Sequence, residues 1–337
     1  MNFIGVDLHK QTISICVVTE DRQVICRQRL ACAWEEKILE FFAQWTPYYV
    51  VVEATASYEW FLKLVEPMAD RVVLAHPKKL RVIAESTRKS DKLDAQVLAE
   101  FLALDMIPEA HRPTPRVREH RSLVRHRVYV QRRITSVKTK IRRILSNYNL
   151  DRPNLFSSSG LEYLAEVKVS AADRFVLDQL VEEWQQHHRR LLAVAKQLRA
   201  FAKQAPVAER EGRAVLDSIP TVGPVTVDVV LSELGDVRRF RSQKQAVSYA
   251  GLAPGYRESA GRAKQLGISK EGSKLLRWIL VEAAWRLVGK TRYWGGIYER
   301  LRNRCGPKKA IVAVARRLLC VMVSMLQNGR RYQLAKH

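Results

Sequence analysis

The sequence lacks the features that would make it a secreted, zinc-binding or membrane protein. Its 337 residues include five cysteines without a CxxC pair, and an odd number cannot close a complete disulfide framework. None of the eight histidines lies at ligand spacing from a cysteine pair. No apolar run approaches the roughly 20 residues that span a bilayer, and the N-terminus reaches Asp7 too early for a signal peptide. We therefore expect a globular cytoplasmic protein with reduced cysteines and no membrane partner.

Acidic residues are scarce, and they are unevenly distributed. The chain has 58 Lys and Arg against 34 Asp and Glu, which gives a formal net charge of +24. Basic and acidic residues number 14 and 16 in residues 1–114, 19 and 8 in 115–205, and 25 and 10 in 206–337. The net charges are therefore −2, +11 and +15. This asymmetry indicates a polyanion partner for the last two parts, with a merely soluble basic surface as the alternative.

The first part alternates strand and helix patterns. Strands are predicted at residues 3–6, 13–18, 24–26, 49–53 and 71–75. The first three read as an antiparallel meander, and the others alternate with helices, the last of which covers about residues 89–104. This order predicts an α/β domain, in which helices cover a mixed sheet, as in a ribonuclease-H-like (RNase H) fold.

The middle part has the pattern of long helices. Apolar residues follow a heptad seam from Val130 to Tyr148 and again from Leu177 to Ala202, so these helices form an antiparallel hairpin or pair with another subunit. Residues 116–143 contain eleven basic residues and a single acidic one, Glu119. So one-sided a run favours phosphate contact over a solvated face. The candidate phosphate ligands are Arg132, Arg133, Arg142 and Arg143.

The third part reads as mostly helical and opens on a turn pattern. Residues 216–224, LDSIPTVGP, lead into a predicted helix for which Pro224 suits the first turn, and together they predict a helix-hairpin-helix. Such a turn aims backbone N–H groups at a phosphate without reading base sequence. Gly223 is therefore a candidate nucleic-acid contact, although a helix start of this kind is often only structural.

Four carboxylates stand out by position. Asp7 closes the first predicted strand and Glu53 ends a buried one, while Asp91 and Asp94 lie three residues apart on one helix face. Oxygen ligands grouped in this way suit Mg²⁺ or Mn²⁺, and a pair of such ions can clamp a phosphodiester. Taken singly, each could be an ordinary surface acid. Their joint occurrence at the element ends of one fold predicts a metal site.

Several short segments occur in an order that resembles a known family. They are GVD at 5–7, VEAT at 52–55, KSDKLDA at 89–95, SIPTVG at 218–223 and AGLAP at 250–254. This set spans essentially the whole chain and resembles the DEDD transposases of insertion sequence family 110. The resemblance implies a RuvC-like (RNase H fold) domain at 1–114, a basic coiled-coil segment at 115–205 and a C-terminal transposase domain at 206–337.

The resemblance also implies partners and a nucleophile. Members are recombinases that act on donor and target DNA under the guidance of a noncoding bridge RNA, and we expect a homo-oligomer, either a dimer or a tetramer in the synaptic complex. Their nucleophilic serine follows the Ala-Gly-Leu-x-Pro segment, which here is Ser259, and Arg257, Arg262 and Lys264 could stabilise the developing charge. Without the resemblance, Ser269 and Ser273 would be equally plausible.

The sequence departs from the family in two places. Thr221 stands where a glycine is common in the hairpin turn, which puts a tight phosphate-binding turn in doubt. Ser259 is followed by Ala260-Gly261-Arg262 rather than by a serine-rich run, so no spare hydroxyl is available to replace it.

The residues together predict cutting and rejoining of DNA. Ser259 attacks a phosphate to give a phosphoserine link, and metal held by the four acids stabilises the transferring group. One alternative is a RuvC-like structure-selective endonuclease, in which water replaces the serine, and another is a nonenzymatic nucleic-acid-binding protein. A sugar-kinase-like ATPase is disfavoured, because its phosphate-binding glycine loops are missing and the strongly positive net charge does not fit such an enzyme. The sequence leaves open whether the acids and Ser259 meet within one subunit or across two.

Overall fold

A mixed β-sheet forms the centre of the first of two compact units, Met1–Arg112 and Pro113–His337. The computed structural model describes residues 1–54, 57–84, 91–259 and 262–333, without the side chains of residues 81–84, 91–94, 256–259 and 262–266. The described strands of the first unit are β1 (Asn2–Leu8), β2 (Thr12–Val18), β3 (Val24–Ala31), β4 (Tyr48–Glu53) and β5 (Arg71–Ala75). Its described helices are α1 (Glu35–Ala43), α2 (Tyr58–Val65), α3 (Pro77–Ala84) and α4 (Asp91–Ala103).

The strand order is β3-β2-β1-β4-β5, with β1 antiparallel to β2 and parallel to β4. Ile4 and Val6 on one face of the sheet share a core with Phe42 of α1 and Phe61 of α2. The opposite face packs against α4. A sheet that is buried on both faces is built from nearly continuous apolar runs, as the predicted strands are. The mixed α/β prediction is therefore confirmed, and the architecture is consistent with a ribonuclease-H-like domain.

Helix α3 was not predicted from the sequence. Pro77 was interpreted only as the end of the preceding strand, whereas in the structure it is the first residue of α3. A proline is favourable there, because the first helical residue needs no N–H donor and its fixed φ suits a helix. The same residue therefore ends one element and begins the next.

The second unit is mostly helical within the part of the chain that the structure describes. Its helices are α5 (Pro115–Asn147), α6 (Ser158–Glu166), α7 (Ala171–Lys203), α8 (Val207–Asp217), α9 (Pro224–Leu234), α10 (Gln243–Tyr249), α11 (Lys274–Lys290), α12 (Arg292–Cys305) and α13 (Pro307–Asn328). Between α10 and α11 lies an antiparallel hairpin of β6 (Pro254–Ser259) and β7 (Arg262–Ile268). The sequence analysis did not predict this hairpin.

Helices α5 and α7 form an antiparallel hairpin within the chain. At one end the hydroxyl of Tyr148 lies 2.5 Å from Oδ2 of Asp173, and at the other the guanidinium of Arg116 lies 4.0 Å from the ring centroid of Phe201. Between these ends, the seam residues of α5 pack against those of α7, with Ile141 and Trp184 in one buried cluster. The seam is therefore filled within the chain, while the domain boundary at residue 205 stays a prediction.

A buried polar cluster joins α5, α8 and α9. Oδ1 of Asp228 lies 2.9 Å from Nε2 of His120 and accepts a hydrogen bond of 2.7 Å from Nη1 of Arg213. Arg213 also donates to Glu209, which accepts a further bond from Arg116. Burial raises the pKa of Asp228, but the hydrogen bonds from His120 and Arg213 outweigh it, so the net pKa is lowered. The cluster therefore keeps a buried carboxylate charged.

We expect Asp228→Ala to destabilise the second unit by about 1–3 kcal/mol, because His120 and one N–H group of Arg213 lose their buried acceptor, while Glu209 still balances the charge of Arg213. Urea unfolding, with hydrogen exchange of the α9 amides as a local probe, measures the change. The matched control is Asp178→Ala, since Asp178 is exposed and an i,i+4 helix pair such as Arg174–Asp178 is worth about 0.3–0.5 kcal/mol. Equal losses in the two variants would contradict the prediction.

The stabilisation from Asp228 should also depend on pH in one direction. Because the folded pKa of this carboxyl is lowered, its contribution is complete above the unfolded value of about 3.9 and is lost as the pH falls through the folded value. The difference in free energy of unfolding between wild type and Asp228→Ala should therefore shrink below about pH 4. A difference that stayed constant down to lower pH would argue against this linkage.

Helix α13 is the one described helix that is long and apolar enough to cross a membrane, by length and composition only. Half of that stretch is buried within the protein, where Leu318 and Met322 are fully enclosed in the core of the second unit. Arg316 and Arg317 interrupt its apolar run. A buried core helix meets the same criterion, so this is weak evidence for a membrane segment.

Candidate active site and nucleic-acid interface

Asp7 and Glu53 occupy neighbouring positions at one edge of the sheet. Val6 of β1 pairs with Val52 of β4 in parallel register, so the next residue of each strand stands on the same face of the sheet. This face is the one that α4 covers, because Gly5 of β1 and Val51 of β4 alternate onto it. Both acids are half-buried. The structure thus brings together two of the acids that the sequence analysis singled out.

Two contacts determine the direction of α4 along the sheet. At Gly5 a Cβ atom would collide with the backbone of Ala95 and Ala99, so the helix lies directly on β1. Beyond its C-terminal end, Asp105 accepts a hydrogen bond of 3.1 Å from Arg71 at the start of β5. The C-terminal end of α4 therefore lies where the parallel strands begin, and its N-terminal turn lies at their carboxyl ends.

Asp91 and Asp94 belong to that N-terminal turn. Their backbone is helical, and their side chains lie outside the described part of the structure. Positions 91 and 94 precede the buried residues Ala95 and Leu98 by four, so they continue the stripe of α4 that packs on the sheet. Among the side chains that the structure describes, which do not include those of these two acids, no group of three or more potential metal ligands occurs.

His9 is a neighbour of Asp7 that the sequence analysis missed. Its Nε2 lies 2.9 Å from Oδ2 of Asp7, and its side chain is 44% exposed. The signal was available, because residues two apart at the end of a strand share a face. The Asp7 carboxylate therefore has a basic neighbour in this structure.

Ser259 is the last residue of β6 and lies opposite the first residue of β7, Arg262. Two residues earlier on β6, Arg257 pairs with Lys264. Because alternate residues of a strand share a face and paired residues face the same side, positions 257, 259, 262 and 264 lie on one face of the hairpin. The side chains at these positions lie outside the described part of the structure. The backbone alone groups Ser259 with all three basic residues that the sequence analysis assigned to it.

The structure distinguishes the two other serines from Ser259. Ser273 is the N-cap of α11, where its side chain accepts a hydrogen bond of 3.1 Å from the backbone N–H of Leu276. This is a common structural use of serine. Ser269 follows β7 and is exposed, and its backbone N–H donates to the carbonyl of Ala253. Neither serine lies on the face of the hairpin that carries the basic positions.

Helices α8 and α9 are joined by the short turn that the sequence predicted as a helix-hairpin-helix. Thr221 has a φ of 68°, a left-handed conformation that glycine adopts without cost and a β-branched residue does not. The hydroxyl of Thr221 is buried without a hydrogen-bond partner among the described residues. Gly223 is the N-cap of α9 and has open space around its Cα. The tight turn thus forms in spite of the threonine.

The basic residues of α5 divide into two groups. Near its N-terminal end, Arg116, Arg121 and Arg125 donate to groups of the second unit itself, including the buried carboxylate of Glu233. Arg142 also has an internal partner, since it lies 2.7 Å from Oδ1 of Asp151.

The other candidate arginines of α5 are exposed. Arg133 lies over the ring of Tyr129, and Arg132 and Arg143 have no ion-pair partner among the described residues. The basic residues of α5 therefore contribute to hydrogen bonds and ion pairs within the unit as well as to the positive charge of its surface.

We expect replacement of Arg132, Arg133, Arg142 and Arg143 by Gln to weaken nucleic-acid binding. Each phosphate contact that is lost should make the slope of log affinity against log salt shallower by about 0.7–0.9. Arg142→Gln alone should have the smallest effect, because that side chain is already paired. Fluorescence anisotropy across a salt series gives the slopes, with Arg238→Gln, which loses an exposed pair with Asp236, as the control. Unchanged slopes would mean that these arginines do not meet phosphate.

An acidic sheet edge in the first unit, followed in the chain by a basic helical unit, is consistent with the transposases that have a DEDD motif. Residues 4–150 match the family model of the DEDD transposases of insertion sequence 110. Residues 213–299 match the model described as the IS116/IS110/IS902 family of transposases. The chain belongs to this family, and it is a transposase of an insertion sequence.

The chain is similar to curated proteins over most of their length. The "Probable family 20 transposase" of Pseudomonas aeruginosa is 24% identical over 88% of this chain and 89% of its own. The transposase of insertion sequence element IS1111A of Coxiella burnetii is 25% identical, with 99% and 92% covered. The pilin gene-inverting protein of Moraxella lacunata is 24% identical, with 99% and 98% covered. Two of these proteins are named as transposases and the third for the inversion of a gene.

Proposed function

We propose that this transposase cuts and rejoins DNA through a phosphoserine intermediate on Ser259. The observation that carries the proposal is the register of the β6–β7 hairpin, which groups position 259 with Arg257, Arg262 and Lys264 on one face. A serine hydroxyl is a weak nucleophile by itself, and fixed positive charges stabilise the transition state of its attack on a phosphate. Arg262, directly opposite, is the nearest of the three positions in the register.

The proposed step is balanced without any oxidant, reductant or nucleotide. The Ser259 hydroxyl gives up its proton, its Oγ forms a bond to phosphorus, and the P–O bond to the deoxyribose breaks. The leaving oxygen takes up a proton and becomes a free hydroxyl. The hydroxyl of the exchanged strand then attacks the phosphoserine, which reforms a phosphodiester and releases the serine. One phosphoester bond replaces another at each stage.

Asp7, Glu53, Asp91 and Asp94 are the proposed ligands of Mg²⁺ or Mn²⁺. The donor set fits these ions, because they prefer carboxylate oxygens, and Asp7 and Glu53 are neighbours on the sheet face at whose end α4 begins. When bound, a divalent ion stabilises charge on the transferring phosphoryl group. Nε2 of His9 lies 2.9 Å from the Asp7 carboxylate at this edge.

The proposed partners are donor and target DNA, a noncoding bridge RNA and further copies of the chain. The charge distribution supports a polyanion, since residues 115–337 carry 44 basic and 18 acidic residues. We retain the division into a RuvC-like domain, a coiled-coil segment and a transposase domain, with boundaries at 114 and 205, as part of the proposal. Sequencing the RNA that co-purifies with the protein tests whether a bridge RNA is bound. A preparation that is fully active without RNA would refute it.

A hydrolytic RuvC-like endonuclease is the nearest alternative, because the same acids could activate water. The two functions differ in one product. Incubation with divalent metal and DNA, followed by denaturing electrophoresis, should give a protein–DNA adduct that resists denaturant if Ser259 is the nucleophile. Nicked DNA without an adduct would favour the endonuclease. A protein that binds DNA but never breaks it would favour the nonenzymatic alternative.

A further inference from the structure

A basic pocket of about 610 Å³ lies at the foot of the hairpin that carries Ser259. Its walls come from α10, α12 and α13 and from the residues that lead into β6. Lys244, Arg316 and Arg317 line it, and no aspartate or glutamate occurs among its described lining residues. The volume falls within the range of small-ligand sites, which is about 300–1,000 Å³.

The positive charge of this pocket is not balanced by ion pairs among the residues that the structure describes. Arg316 is half-buried, Arg317 and Lys244 are exposed, and none of the three has an ion-pair partner among the described residues. The arginines of α5, by contrast, largely have internal acceptors. Three cations that line one concave surface without a counter-charge among the described residues give it a positive potential, which attracts anions. Their placement indicates an anionic ligand.

Apart from Gln243, the remaining walls are apolar, and they include part of a family segment. Val247, Leu301 and Cys320 contribute, together with Ala253 and Pro254, the last two residues of AGLAP. A surface that combines cations with an apolar wall matches a nucleotide, which has a phosphate and a flat base or sugar. A free inorganic anion would leave the apolar wall unused. The segment that marks the family in the sequence thus forms a wall of a cavity in the structure.

We propose that this pocket holds one nucleotide of the DNA strand that is being cut. The inference rests on the proposed function, since Pro254 begins the strand that Ser259 ends. Five residues of extended chain span at most about 17 Å, which equals about five stacked nucleotides of DNA. The pocket would therefore grip the strand within a few nucleotides of the scissile phosphate. Arg316 and Arg317 act on the phosphate as binding residues and not as catalytic ones.

Cys320 provides a direct probe because its thiol lines the pocket. Burial raises the pKa of this thiol, while Arg316 and Arg317 act in the opposite direction. Alkylation by N-ethylmaleimide is followed by mass spectrometry at alkaline pH, with and without a saturating single-stranded DNA oligonucleotide. Cys305, in the same unit and outside the pocket, is the internal control. We expect DNA to slow alkylation of Cys320 several-fold and to leave Cys305 unchanged.

The double variant Arg316→Gln, Arg317→Gln should lose this protection, so that DNA no longer slows the alkylation of its Cys320. The alkylation rate of the variant with DNA is compared with its own rate without DNA. Its salt slope should become shallower by about 0.7 for each single-strand phosphate contact that is lost. The charge-matched control replaces Arg286 of α11 and Arg292 of α12, both exposed, by Gln. In this control, DNA should still protect Cys320. The wild-type result does not depend on any variant, so a folding defect in the double variant leaves the test intact.

Three outcomes would overturn the proposal. The first is an unchanged alkylation rate of Cys320 when anisotropy shows that the DNA is bound. The second is protection by RNA of the same sequence but not by DNA, and the third is equal loss of protection in the control variant. Ser259→Ala separates this inference from the proposed function, because it should keep the protection even though it forms no adduct. If the wild-type protein forms the adduct but DNA does not protect Cys320, the pocket proposal is refuted and the proposed function is not.

Discussion

Ser259→Ala is expected to abolish both the denaturant-resistant protein–DNA adduct and strand exchange, while assembly on DNA persists. Loss of a nucleophile removes the covalent step, whereas loss of a hydrogen-bonding serine would cost about 1 kcal/mol and leave measurable turnover. DNA binding is measured by anisotropy and adduct formation by denaturing electrophoresis of the same samples. Ser259→Cys should retain weak activity if the geometry is preserved.

The other serines of this region supply the matched controls. Ser269→Ala should be fully active, because this residue is exposed and only its backbone has a described partner. Ser273→Ala removes the N-cap of α11 and should cost about 0.5–2 kcal/mol of stability without loss of the adduct at low temperature. If Ser259→Ala still forms the adduct, or if Ser269→Ala cannot, the nucleophile is assigned to the wrong residue.

Asp7→Asn and Glu53→Gln are each expected to eliminate recombination while leaving nucleic-acid affinity nearly unchanged. The acids lie in the unit with a net charge near zero, whereas the basic residues proposed to contact phosphate lie in the other unit. Asp91→Asn and Asp94→Asn should behave in the same way. Strand exchange and anisotropy are measured on each variant, and circular dichroism verifies the fold. Parallel losses of binding and activity would count against a metal-binding role.

Two variants of the same unit test whether the effect is specific to the sheet edge. Glu20→Gln changes an exposed acid in the turn after β2, which is antiparallel to β1 and so ends at the opposite edge. His9→Ala removes the imidazole beside Asp7 but leaves the carboxylate, which is the group proposed to bind the metal. Both variants should keep strand exchange. Its complete loss in His9→Ala would mean that the ion pair, rather than the carboxylate, is what the reaction needs.

Local sequence patterns predicted the first unit well, because most of its strands and helices are defined by their own residues. The apolar runs of β1, β2 and β4 are buried on both sides, so their identity as strands does not depend on distant partners. The acids were found for the same reason, since each lies at the end of an element that its own residues define. Helix α3 was missed because Pro77 serves two elements at once.

The hairpin of β6 and β7 shows where such patterns fail. Its residues include Arg257, Glu258, Arg262 and Lys264, which have no apolar alternation and no strong strand preference. Pairing with one another provides the backbone hydrogen bonds that make these segments strands. The position of Ser259 was therefore taken from a family resemblance, while its arrangement with the basic residues came only from the structure.

The sequence by itself determined the family, the mixed sheet with its acidic positions, the long helices and the concentration of positive charge after residue 114. Periodicity, strand ends and residue order are local properties, and local properties can be read without knowledge of distant contacts. Only the tertiary structure decided which cations already have an ion-pair partner, as Arg125 has in Glu233, and which have none among the described residues, as is true of Arg316 and Arg317. The pocket between α10 and α13 joins residues such as Lys244 and Arg317 that are 73 positions apart. Their proximity depends on how the helices pack around one core, and no local pattern contains that information.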